Sequence, residues 1–242
     1  MPLATTDWSN VPQAAMMDAE LSIAQIKGDG YEVIWKKSVP CPNRMLNKDD
    51  HDLNCTLCDG TGFLFDSGKV IKALMTSISL KQTFASFGRF DIGMAIITVE
   101  PEHKFSWWDS IELRKNKCGD DVTIRYSEVL QRGKNTLVDK TKYQGVSAVR
   151  LVDASGVDYT ADVDFKFTTD SKISWDVLNG SHPATGVFYS LSYLCHPRYV
   201  ILDLAHQFRN ARSRSADTKG LIEFPVQGIG KLDFLIGDES KK

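Results

Sequence analysis

The sequence predicts a mainly β protein, a β-barrel or β-sandwich with one N-terminal helix and a hairpin stapled by cysteines. From about Lys69 onward, short runs rich in Ile, Val, Thr and aromatic residues recur at spacings of about 8–12 residues, with turn residues between them. Helical periodicity is confined to the first 30 residues. Three of the five cysteines and one of the five histidines fall in a single stretch, "CPNRMLNKDDHDLNCTLCDGTGF", from Cys41 to Phe63.

Bulk composition sets the frame. A chain of 242 residues is long enough to bury a core without covalent staples. Its formal charge of −2 does not fit a dedicated nucleic-acid binder with a basic face. No apolar run approaches the ~20 residues of a membrane span. The opening "MPLATTDWSNVPQAAMMDAE" lacks the basic-then-apolar pattern of a secretory signal. The expectation is a chain folded in a reducing cytoplasm, with no membrane contact. There cysteines serve as thiols or metal ligands, not disulfides.

Along the chain, Ser9 or Asn10 can cap a helix and Pro12 suits its first turn. Ala14, Met17, Leu21 and Ala24 fall on one face, and Gly28 and Gly30 end it. In "YEVIWKKSVP", Tyr31, Val33 and Trp35 alternate with Glu32, Ile34 and Lys36, as in a strand, and "FLF" resumes a strand after the cysteines. "VIKALMTSISL", "GMAIITVEP", "DSIELRK" and "DVTIRYSEVL" form a first β block. "VSAVRLVDASGVDYTADVDFKF", "SKISWDVL" and "GVFYSLSYLCHPRYVILDL" form a second. "HQFRNARSRSADTKG" reads as a basic exposed stretch, followed by one more strand over Leu221–Val226. The partition is therefore an arm and helix (1–30), a knuckle hairpin (31–68), a β body (69–205), and a basic stretch with a C-terminal tail (206–242).

Cys55 and Cys58 make a C-x2-C pair, a spacing that lets two thiolates chelate one ion from a tight turn. Gly60 and Gly62 supply the positive φ and close backbone approach that such a turn needs. With Cys41 and His51 the set would close a tetrahedral Cys₃His site, suited to one structural zinc per chain and leaving no open position for catalysis. A polar loop without metal is the plain alternative. A thioredoxin-like redox pair would require the C-x2-C to open a helix.

Other residues have quieter readings. Asp158, Asp162 and Asp164 could bind a cation, or be solvated strand and turn residues. Trp107 and Trp108, read as adjacent strand residues, must point to opposite faces, so at most one is core and the other is a candidate subunit contact. Cys195 and His196 read as a packed thiol and a satisfied histidine. Arg209, Arg212 and Arg214 are either a solvated tail or a contact for DNA phosphate or an acidic neighbour. There is no G-x-S-x-G, no H-E-x-x-H and no phosphate-cradling glycine loop, so no enzyme is expected.

The C-x2-C-x-G-x-G pattern is similar to one zinc repeat of DnaJ-type chaperones. A wider likeness spans Leu21 to Phe65. The order of helix, glycine, "YEVIWKKS" strand, "CP", polar loop and "CTLCDGTGFLF" resembles a group of tailed-bacteriophage virion proteins. In that group Cys41, Cys55 and Cys58 match three of the family's cysteines, while Asn43 stands where the second cysteine of its C-P-C would be. "SKISWDVL" and "GVFYSLSYL" are similar to a β-module of phage neck and tail proteins. "ITVEPEHKFSWWDSIEL" resembles the strand-turn-strand that closes a small barrel in head-to-tail joining proteins.

The resemblance implies a virion structural protein. It would be a ring-forming homo-oligomer at the neck, contacting portal-adaptor, other neck or tail proteins, with DNA passing in weak non-specific contact. A tail or baseplate protein, a zinc-knuckle module that binds nucleic acid or a partner, and a hydrolase with a scattered site are the other expectations.

Overall fold

The computed structural model describes residues 19–43, 55–58, 61–77, 93–133, 137–168, 171–177, 180–206, 210–212 and 221–236. They form a mainly β protein with one helix near the N-terminus, α1 (Ala19–Asp29). The barrel strands are β1 (Tyr31–Lys36), β4 (Lys69–Ser77), β5 (Met94–Val99), β6 (Ser110–Lys115), β14 (Arg198–His206) and β17 (Val226–Leu232). They close in the order β1, β4, β5, β17, β14, β6, with every pair antiparallel. Closure removes the exposed edges that an open sheet would present.

Alternation fills the barrel. Val33 and Trp35 of β1, Ile71 and Ala73 of β4, Ile97 and Val99 of β5, and Ile111 and Leu113 of β6 all point inward and are buried. β17 contributes differently. Its inward positions include Gly228 and Gly230, and a Cβ on either would meet Phe105 Cδ2 at 3.1 Å or Ile97 Cδ1 at 2.8 Å. The missing side chains make room for large neighbours.

Helix α1 packs against β4 through Ile26, which is fully buried. The expected face is not the one used. Leu21 is 67% exposed and Ala24 is exposed as well. The helix approaches the barrel at its C-terminal end, where the Gly30 amide donates to the Ile26 carbonyl (3.0 Å), so Ile26 and Ile23 face inward. A Cβ at Gly30 would lie 2.3 Å from that carbonyl oxygen, so the close turn requires glycine. Ala14 and Met17 lie outside the described residues.

A second unit is inserted between the neighbouring staves β6 and β14. One sheet runs β10 (Asp158–Tyr159), β9 (Gly145–Asp153), β13 (Phe188–Cys195), β7 (Ile124–Gln131). Another runs β11 (Lys166–Thr168), β12 (Lys172–Ser174), β8 (Val138–Lys140). They share an aromatic core that includes Phe165, Trp175, Tyr189 and Tyr193. At its centre Asp139 accepts hydrogen bonds from Trp175 Nε1 (2.8 Å), the Tyr189 hydroxyl (2.9 Å) and the Gly133 amide (2.9 Å). Two short strands, β15 (Asn210–Arg212) and β16 (Leu221–Glu223), pair with each other before β17.

Strand pairing thus redraws the expected partition. β1, inside the expected knuckle segment (31–68), and β17, inside the expected tail (206–242), are barrel staves. The expected body (69–205) holds the buried residues of the insert core and only part of the barrel core. The cause is long-range antiparallel pairing, which joins segments far apart in sequence.

Candidate metal centre

β2 (Ser38–Pro40) pairs with β3 (Phe63–Phe65), and together they prolong the β1–β4 hairpin beyond the barrel wall. The arm breaks at its root, where Asp66 Oδ1 accepts from the amides of Lys37 (3.1 Å) and Gly68 (2.9 Å), and Gly68 takes a φ of 80°. Asp109, fully buried, fastens this root to the barrel. It accepts hydrogen bonds from Trp35 Nε1 (2.9 Å), the Ser38 amide (2.9 Å) and the Ser106 amide (2.8 Å).

At the tip the structure brings together Cys41, Cys55 and Cys58, whose sulfurs all lie within 4.8 Å of one another. All three are buried, and Leu64 packs beneath them. The Cys41 and Cys55 sulfurs are 3.9 Å apart. Four sulfurs held tetrahedrally at about 2.3 Å from zinc stand about 3.8 Å from each other, so this edge matches a metal-thiolate site. A disulfide, at about 2.05 Å, does not fit. Turn chemistry holds the geometry. Cys41 donates its amide to the Gly62 carbonyl (2.9 Å), Thr61 donates amide and hydroxyl to the Cys58 carbonyl (3.0 and 2.7 Å), and Gly62 has a φ of 77°.

The thiols are electrostatically unequal. Asn43 Nδ2 donates to Cys55 Sγ (3.5 Å), and the amides of Cys58 and Leu57 also point to it, so the Cys55 thiol is lowered to about 6. Burial, with the neighbouring sulfurs, pushes Cys41 up. A bound dication favours the thiolate at every position, so it would relieve the penalty on Cys41. The arrangement can hold a soft metal ion. Asn43, which stands where a cysteine is expected by resemblance, acts here as a hydrogen-bond donor to the Cys55 sulfur. His51, Gly60 and the polar loop between the cysteines lie outside the described residues.

The other candidates resolve plainly. Asp158 pairs with Arg150 Nε (2.8 Å). Asp164 accepts from the Thr160 amide (2.7 Å) and the Ser181 amide (3.0 Å), and Asp162 occupies a turn at φ 64°. Cys195 is buried, and His196 Nδ1 bonds the Val122 carbonyl (2.9 Å). Arg209 and Arg214 lie outside the described residues, and Arg212 falls on β15.

Trp107 and Trp108 are corrected. They occupy a turn, not a strand, and neither is core, at 60% and 37% exposed. Trp108 takes a φ of 71° and stacks on Phe63, with ring centroids 5.0 Å apart. The Ser106–Asp109 turn, whose ends are tied by the Asp109 carboxylate, overrides the strand propensity of the tryptophans.

A cleft of about 660 Å³ lies between the hairpin arm, the barrel and the insert. Phe63, Phe65 and Trp108 line it together with Glu128, Lys142, Arg198 and Asp233. Burial raises the Glu128 carboxyl above its usual range, opposed by hydrogen bonds from the Tyr193 hydroxyl (2.8 Å) and the Lys142 amide (3.2 Å). Sequence spacing carries no signal for this cleft, because its lining comes from separate segments.

Fold and site define a closed β-barrel protein with an inserted β unit and a buried three-cysteine knuckle able to hold a metal ion. No protein-family model matches the sequence, and no curated protein matches it significantly. Among the described residues no helix is long and apolar enough to cross a membrane.

Proposed function

We propose that this chain is a structural subunit of a tailed-phage virion, forming a ring at the neck that joins head to tail around the DNA channel. The observation that carries the reading is the ordered run from Leu21 to Phe65. Helix, V-x-W strand, cysteine knuckle and aromatic strand follow one another as in the virion proteins they resemble. The knuckle holds one zinc, because three thiolates are a soft donor set suited to that ion, and His51 supplies the fourth ligand. The metal staples the arm and takes no part in catalysis.

Two further features support the placement. Exposed apolar side chains lie outside both cores, with Leu21 at 67%, Val70 at 62% and Trp107 at 60%, and these suit subunit contacts. The charge of −2 suits a channel wall along which DNA slides, since a strongly basic wall would grip many phosphates. The knuckle loop carries Asp49, Asp50, Asp52 and Asp59 against Arg44 and Lys48, an acidic excess that disfavours a nucleic-acid-binding knuckle.

Electron microscopy tests the reading. Purified protein should form closed rings, and phage lacking it should accumulate separate heads and tails. Complete particles that fail only in attachment to cells would place the protein at the tail tip instead.

A further inference from the structure

The core of the insert runs up to an open strand edge. β7 (Ile124–Gln131) is the last strand of its sheet. It pairs with β13 along all 8 residues without a register shift, and with no other strand among the described residues. Two bonds fix which backbone groups are used. The Arg132 amide donates to the Val187 carbonyl (2.9 Å), continuing the β7–β13 register, and on the far side of β13 the Ala154 amide donates to the Phe188 carbonyl (3.1 Å). Backbone direction alternates along a strand, so Ile124, Tyr126, Glu128 and Leu130 bond to β13. Arg125, Ser127, Val129 and Gln131 turn their amides and carbonyls outward, where no backbone partner meets them among the described residues. Sheets guard such an edge with proline, a bulge, a short strand or charge. β7 has no proline and no bulge. Of the four outward residues only Arg125 is charged, and its Nε donates to Ser192 Oγ (2.7 Å), which draws it onto the sheet. Val129 stands 67% exposed.

The inner face of this strand is unsealed as well. Ile124, Tyr126 and Leu130 pack on the aromatic core yet stay only half-buried, whereas Tyr189, Leu191 and Tyr193 on the next strand in are buried. A strand laid on this edge must carry aliphatic and aromatic side chains inward and small or polar ones outward. β7 itself has that pattern, and one antiparallel register of β7 on a second β7 satisfies it. With Ser127 opposite Ser127 at a two-fold axis, Ile124 meets Leu130 and Tyr126 meets Glu128 on the inner face. On the outer face Arg125 lies opposite Val129, whose methyls can rest on the arginine stem. A register centred on Glu128 would set two carboxylates against each other, and one centred on Val129 would set Glu128 against Leu130. Only the first register matches apolar with apolar and keeps like charges apart.

We propose that two copies of this chain pair antiparallel through their β7 edges, centred on Ser127, and so join two four-stranded sheets into one continuous sheet. The partner is a second copy because the strand that the edge calls for is β7. Arg125, Ser127 and Val129 exchange backbone hydrogen bonds with the same residues of the other copy, and Ile124 and Leu130 cover each other at the open flank of the core. The contact is two-fold, so it is distinct from the head-to-tail contacts of the ring proposed above. Where both form, two rings stack back to back. The pairing depends on neither the metal nor the virion reading.

The test uses the full-length protein. Val129→Pro removes an outward amide and leaves every bond to β13 in place. Native mass spectrometry should then read half the subunit number of the parent protein, from a dimer to a monomer or from a doubled ring to a single one. Val129→Thr keeps the amide and should match the parent. Cross-linking reads the register independently. In a Cys118→Ser background, which removes the exposed thiol, Ser127→Cys should form a covalent dimer under copper–phenanthroline in air. The two positions then face each other at about 5.5 Å between Cα atoms. Val129→Cys should cross-link at least about tenfold less, because this register sets its two copies about 14 Å apart along the strands. An unchanged subunit number in folded Val129→Pro protein, or equal cross-linking at the two positions, would overturn the proposal. So would a parent protein that is monomeric and gives no cross-link through Ser127→Cys. If Val129→Pro fails to fold, the ratio of the two cross-links decides alone.

Discussion

Asp109 has both carboxylate oxygens committed, one to the Ser38 amide and the other to Trp35 Nε1 and the Ser106 amide. One side chain thereby fixes the root of the arm, the barrel wall and the turn that presents Trp108. At the other end of the arm the cysteines stand alone as a small buried cluster with Leu64. The two ends are independent in their chemistry, which sets a residue-scale prediction. Cys58→Ser removes a candidate metal ligand and leaves Asp109 untouched. Metal content should fall, and limited proteolysis should cut only between Lys36 and Phe63, because metal binding energy is folding energy for the knuckle alone. The melting temperature of the body should change by less than about 4 °C, which for a chain of this size corresponds to about 1 kcal/mol. Proteolytic cuts spread through the barrel or insert would show that the knuckle is part of the main core.

At the scale of elements, β17 is the informative strand. Its glycines face the barrel interior and leave space for Phe105, Ile97 and Ile201. Gly228→Val would force branched atoms into a filled interior and should destabilise the protein by about 1–3 kcal/mol, measured by urea denaturation. An unchanged midpoint would mean that the barrel has slack that these distances do not show.

The same glycines explain what the sequence concealed. After Val226 the inward positions of "VQGIGKL" are Gly228 and Gly230 in place of the large side chains of β1, β4 and β5, so the sequence predicts a strand only as far as Val226. Strands with plain alternation were legible, and so was the clustering of Cys41, Cys55 and Cys58, because their ligand chemistry is written in local spacing. The helix face was not, since which side of α1 is buried depends on the barrel it meets. Nor was the Trp107–Trp108 turn, where tertiary hydrogen bonds override the β propensity of tryptophan. The cleft is built from side chains up to 175 positions apart, from Thr61 to Ile236, and no local pattern encodes it.

For the molecule as a whole, the barrel is a closed platform with an arm on one side and an inserted β unit between two adjacent staves. Closure leaves the barrel without free edges, so the proposed ring would use side-chain surfaces, the arm and the helix, not strand addition to the barrel. The exposed Leu21 on α1 and Trp107 beside the arm root would supply apolar contacts in that proposed ring. Head-to-tail contacts of that kind close into rings when the rotation fits. The most direct measurement is native mass spectrometry of the purified protein, which reads subunit number and metal content together. The account predicts a closed oligomer whose mass carries one zinc per chain. A folded monomer free of metal would contradict it.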